Sequence, residues 1–327
     1  MSEETTLPIR CLYDEITNFF EAKELAGKLN QAIMSNQLSR GIFIDPYPAK
    51  LEAPFADFDD RGIKLQATYL AYLWCLCYVM IAFQQMTIDQ AEEEIISLSR
   101  SPECLQLNEM FEWAISLAES YSDWPQHFPN PEQRGQRIVQ ANALFLFAVR
   151  YLMYHEVGHL LLHSNSAAFL YEKYRLKQFS KDDSRRLTNM EIQADDYAID
   201  LLLGISATEE ARYMNMIGAA VVQVAGLFTL KDDDIRGGYT HPDIDVRLKR
   251  LAKRAVFDQQ VHELFFDVTI SIGWQVFFHR FRVPFLPADK AAWRLTDFSD
   301  LFKLIDQKVC ERKSHYHQSE PLLFFRK

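Results

Sequence analysis

The longest uninterrupted apolar stretch lies between residues 65 and 83 (LQATYLAYLWCLCYVMIAF) and carries no charge. About 20 apolar residues suffice to span a bilayer. The run, however, contains several tyrosines together with Gln66 and Thr68. Its flanks, Asp57 to Asp60 and Glu92 to Glu94, are acidic, so no Lys/Arg bias orients a membrane span. The pattern predicts a buried core helix, with a membrane helix as its rival. A second run, Ile138 to His163, is apolar nearly all the way round, which places it at the centre of the fold.

Further helices are predicted over Asn108 to Ala118, Asn189 to Leu203 and Ile217 to Leu230, with an acidic amphipathic stretch at Thr87 to Leu98. Polar joints separate them. Ser122 to Glu132 holds Pro125, Pro129 and Pro131, each lacking the backbone donor that a helix or ladder needs. Ser164 to Thr188 is polar, and Lys231 to Gly238 ends in a flexible Gly pair. Eleven Gly and 12 Pro in 327 residues leave room for long helices, so the fold class is mostly α with a possible small β element.

At 48% hydrophobic residues the chain has enough apolar surface for a sizeable core. A net charge of −10 is the wrong sign for neutralising a phosphate backbone, which argues against a nucleic-acid partner. Five cysteines form no CxxC pair, and Cys75 and Cys77 sit inside the apolar run as core residues. A reducing, cytoplasmic location is therefore expected. The N-terminus shows no basic region followed by an apolar one, so no secretory leader is expected.

The chemistry begins inside the central helix, at His155-Glu156-Val157-Gly158-His159, an HExxH pattern. Histidines at i and i+4 share a helix face and reach one Zn²⁺, while Glu156 projects beside them as a general base. A catalytic zinc takes three protein ligands, so a third is sought elsewhere. Glu191 opens Glu191-Ile-Gln-Ala194-Asp195, 32 positions after His159, and is the candidate. Asp195, one turn on, is placed to accept the outer ring N–H of a ligand histidine, with Asp196 a fallback for either role. Gly158 and Ala194 are small where the two helices need to approach.

A third cluster, Tyr239-Thr-His241-Pro242-Asp-Ile-Asp-Val-Arg247, follows the Gly pair. His241, with Tyr239 as a rival, is a candidate oxyanion donor or an inhibitory fourth ligand, and Arg247 a partner for Asp195. His163 extends the series but stands about 12 Å along the axis from His155, too far to share the ion, and reads as structural. His315 and His317 read as solvated. The expected chemistry is metal-assisted hydrolysis of a protein substrate. Its rivals are a zinc-stabilised binding or sensor module without hydrolysis and a membrane-embedded processing peptidase.

HEVGH, EIQAD and YTHPDIDVR together resemble the ligand set of gluzincin metallopeptidases, most closely the Lit-type phage-exclusion peptidases of bacteria. The resemblance extends in order through the aromatic helix, DWPQHFPNPE, the central helix, MEIQADDYAIDLLL and the turn with Tyr239 and Arg247, roughly residues 60 to 250. It implies a zincin-like helical core at 60–254, between an N-terminal region 1–59 and an aromatic-rich C-terminal region 255–327. It also implies His155, His159 and Glu191 as zinc ligands and Glu156 as base. The implied role is a dormant cytoplasmic protease that a phage component triggers to cut a translation factor such as elongation factor Tu. The THPxxxxR element is also similar to CAAX-prenyl and HtpX-like membrane peptidases.

Overall fold

The computed structural model describes residues 7–18, 23–39, 41–47, 49–88, 101–164, 169–170, 172–173, 178, 180–231, 235, 241–282 and 298–319. A 3-10 turn at Pro8–Leu12 leads into α1 (Tyr13–Thr17) and α2 (Lys23–Met34). A small sheet follows, made of β1 (Ile42–Asp45), β2 (Phe55–Asp57) and β3 (Gly62–Gln66) in the order β1-β3-β2. β3 is central, parallel to β1 with Ile42 opposite Ile63, and antiparallel to β2 with Ala56 opposite Ile63. Asp57 turns the β2–β3 connection by accepting the backbone N–H of Asp59 and Asp60 at 2.9 and 3.0 Å, and it pairs with Lys64. Leu65 and Gln66, predicted to open the first long helix, end β3 instead, where Leu65 is buried and the Gln66 side chain is engaged with the preceding loop.

Eight helices complete the described residues: α3 (Ala67–Ile88), α4 (Pro102–Ser116), α5 (Gln136–His163), α6 (Lys181–Ile205), α7 (Glu209–Phe228), α8 (Ile244–Arg254), α9 (Gln260–Arg280) and α10 (Phe298–Ser319). α5 is the axis, packed against α3, α6 and α7. Gly218 lets α7 approach it to backbone contact, since a Cβ there would stand 2.6 Å from the Phe147 carbonyl carbon. α3 is buried along most of its length. Tyr72 donates its OH to the Ala225 carbonyl at 2.6 Å and Trp74 its indole N–H to Asn142 Oδ1 at 2.7 Å, so its polar tips find partners inside the protein. Among the described residues Ala67–Met86 is the segment apolar and long enough to cross a bilayer, and 78% of its most apolar window lies inside the fold.

Three helices begin earlier than their apolar patterns suggest, because polar first turns are held by caps. Ser180 and Asp183 form a reciprocal capping box, so α6 starts at Lys181 rather than near 189. The Ser101 side chain accepts Cys104 N–H at the head of α4, and Thr208 accepts Ala211 N–H at the head of α7. Ser122 to Glu132 is a loop. The acidic stretch expected at Thr87 to Leu98 lies, after Ile88, outside the described residues.

The expected limits of the core fall between β2 and β3 and between α8 and α9. One cluster of buried side chains crosses both limits, from Leu7 to Val309. Trp274, Phe277 and Phe278 belong to it, and a Cβ at Gly273 would stand 2.5 Å from Val224, so the aromatic tail packs through α9 onto α7. α10 reaches α8 through Lys313 with Asp243 (2.7 Å) and Asp306 with Lys249 (3.0 Å).

Candidate metal centre

One turn of α5 and one of α6 face each other across a contact that only small residues permit: a Cβ on Gly158 would meet Ala194 Cα at 3.1 Å. That approach brings three buried side chains together. His155 Nε2 lies 3.1 Å from His159 Nε2 and 3.3 Å from Glu191 Oε2, and His159 Nε2 lies 3.5 Å from Glu191 Oε1. These are the residues that sequence spacing singled out as ligands, and they form a group able to hold a metal ion. The donor set tests well against that use. Tetrahedral coordination with bonds near 2.0–2.1 Å separates ligand atoms by about 3.3 Å, close to each edge of this triangle.

Asp195 binds the outer side of His155, its Oδ1 2.9 Å from Nδ1. It is itself gripped by Arg247, which donates Nε–H to Oδ2 at 2.8 Å and Nη2–H to Oδ1 at 2.7 Å. Tyr151 adds its OH at 2.7 Å, and Gln223 donates to the Tyr151 oxygen at 2.6 Å. Asp196 turns away to Arg250, at 2.5 Å. Burial, which opposes His155's charge, is outweighed by hydrogen bonds to Asp195 and Glu191, so its pKa is pushed up to about 10. Hydrogen bonds from His155 and His159 hold the Glu191 carboxyl well below its ordinary range against the cost of its burial. Two buried carboxylates around one imidazole need positive charge beyond Arg247, which a proton on His155 or a divalent cation in its place can supply.

Glu156 is buried beside the triangle. Burial pushes its carboxyl up to about 7, reinforced by the Glu191 charge, while His155, the Ala56 backbone N–H and Arg247 pull the other way. A cleft of about 480 Å³ opens here, walled by residues 53–56 and Phe58 on one side and by His155, Glu156, His159, Glu191 and His241 on the other. The wall is fixed by the Gln66 side chain, which accepts Glu52 N–H and donates to the Lys50 carbonyl, both at 2.8 Å. A second lobe of about 450 Å³ continues past His155 and Glu156 toward Tyr69, Val222 and Leu230.

His241 stands at the rim, half exposed, its Nε2 3.8 Å from Glu191 Oε2, and it is not part of the three-residue group. Tyr239 lies outside the described residues. His163 is buried and contacts His159, and His315 is exposed, while the side chain of His317 lies outside the described residues.

Sequence reasoning missed the 53–58 wall, whose residues carry no chemical motif. It also missed Tyr151 and Gln223, which read as apolar-helix filler until α5 and α7 are placed side by side.

The fold and this centre define a helical protein with a buried His–His–Glu cluster competent to hold a metal. Residues 63–265 match the family model Peptidase U49, and the chain belongs to this peptidase family. No curated protein and no solved structure matches the chain.

Proposed function

We propose that the chain is a zinc-dependent endopeptidase of the gluzincin type. The observation that carries the reading is the His155–His159–Glu191 triangle with Glu156 beside it in an open cleft. When bound, zinc supplies a Lewis acid for the scissile carbonyl. Glu156 takes a proton from the attacking water on its carboxylate and hands it to the leaving amine nitrogen. Its burial raises the carboxyl above the ordinary carboxylate range, the direction that suits a group that both takes and returns a proton. His241 Nε2, with Tyr239 as the second candidate, donates to the oxygen that gains charge. Asp195, oriented by Arg247, holds His155 with its proton on Nδ1. That His241 stands outside the ligand group supports hydrolysis over a closed structural site.

The resemblance to Lit-type peptidases supports a cytoplasmic protein substrate cut in defence against phage, with elongation factor Tu the first candidate and a phage-derived component the trigger. The net charge of −10 fits a protein substrate better than a nucleic acid. The test is mapping of new protein N-termini in cells expressing wild type or Glu156→Gln, with and without phage challenge. Termini seen only with wild type support the reading. Identical maps for the two contradict it.

A further inference from the structure

For one ion to be held by the Nε2 atoms of both histidines, each ring has to carry its proton on Nδ1, and each Nδ1–H needs an acceptor. His155 has Asp195. The atom facing Nδ1 of His159 is Nδ1 of His163, 3.2 Å away, one turn further along α5 and buried. A ring nitrogen accepts only through its lone pair, which puts the His163 proton on Nε2. There Gln193 Oε1 accepts it at 2.9 Å. Gln193 stands on α6 two residues after Glu191, so the helix that brings the third ligand also reaches the outer side of the second.

We propose that His163 and Gln193 form a positioning relay that holds His159 in its metal-binding tautomer. The inference rests on the metal reading of the site. The amide of Gln193 sets the direction of the relay. With Oε1 toward His163, protons run outward from the ligand triangle. With the NH₂ toward His163, both rings reverse and the His159 proton points into the triangle, against His155 Nε2 at 3.1 Å, where it blocks ligation. Replacing Gln193 by Glu removes the choice, because a carboxylate only accepts. Gln193 is exposed, so its variants leave the core intact.

The test is zinc affinity of the full-length chain by chelator competition, together with the visible spectrum of the cobalt-substituted form. It compares wild type, His163→Phe, His163→Asn, Gln193→Glu, Gln193→Leu and the His163→Phe/Gln193→Glu double variant. The relay requires a 10–100-fold loss of zinc affinity and an altered cobalt spectrum for His163→Phe. It requires recovery toward wild type for His163→Asn, whose amide oxygen replaces the lost acceptor. Gln193→Leu weakens binding and Gln193→Glu tightens it, and the latter gain disappears in the double variant. Unchanged affinity and spectrum in both His163→Phe and Gln193→Leu overturn the relay. So does a Gln193→Glu gain that survives His163→Phe, since charge alone then explains it. A wild type that takes up no zinc overturns the metal reading itself.

Discussion

Arg247 and Asp195 meet in two parallel hydrogen bonds, of 2.8 and 2.7 Å, that tie α8 to α6 directly behind the ring of His155. A fork of this kind fixes the carboxylate in orientation as well as charge. Asp195→Asn is therefore expected to fold but to bind zinc 10–100-fold more weakly, because an amide at that place also offers a donor to Nδ1. Arg247→Lys keeps the charge and loses the fork, and is expected to give a smaller loss in the same direction. Chelator competition on the two variants checks the order.

His241 lies near Glu191 without joining the His155–His159–Glu191 group. Its replacement by Ala is expected to lower kcat by about 10²–10³-fold, the usual effect of removing one oxyanion donor, with metal content unchanged. A fall in bound metal instead would make it a ligand.

The packing of α7 on α5 gives a stability test with an internal control. Gly218→Ala drives a Cβ to 2.6 Å from backbone and is expected to cost about 1–3 kcal/mol in urea unfolding. Gly226→Ala, on the same helix, meets only Ile244 Cδ1 at 3.7 Å and is expected to be neutral or stabilising by up to about 1 kcal/mol. Equal effects at the two positions would contradict the close approach.

Asp267 on α9 is partly buried, and burial with the neighbouring Glu263 pushes its carboxyl from 3.8 up to about 6. The folded chain binds more protons there than the unfolded one between those values. Its contribution to stability is thus fully present below about 3.8 and is lost as pH rises through about 6. Asp267→Asn is expected to gain on wild type as pH goes from 4 to 7.5, read as urea midpoints. Parallel curves would contradict the shift.

The His155–His159–Glu191 group was legible because metal binding would impose spacing on a helix: His155 and His159 one turn apart, and Glu191 with Asp195 one turn apart on the next. The charge-free run marked α3 as a helix for an apolar environment, and its tyrosines, Thr68 and the acidic flanks favoured the protein interior over a bilayer. The starts of α4, α6 and α7 were not, since capping side chains such as Ser180 let polar turns be helical without an apolar stripe. Nor was the sheet. β2 is three residues long, and its place beside Glu156 is set by Gln66 reaching back to residues 50 and 52. His163 was assigned to structure because it is too far from His155 to share an ion. Its contact is with the outer nitrogen of His159, which spacing along the helix does not specify.

The most direct test of the central claim is metal stoichiometry measured beside peptide-bond cleavage for wild type, Glu156→Gln and Glu191→Ala, purified in parallel. The expected result is about one equivalent of zinc in wild type and in Glu156→Gln, clearly less in Glu191→Ala, and cleavage by wild type alone. Cleavage by Glu156→Gln, or a full, tightly held equivalent of zinc in Glu191→Ala, would contradict the account.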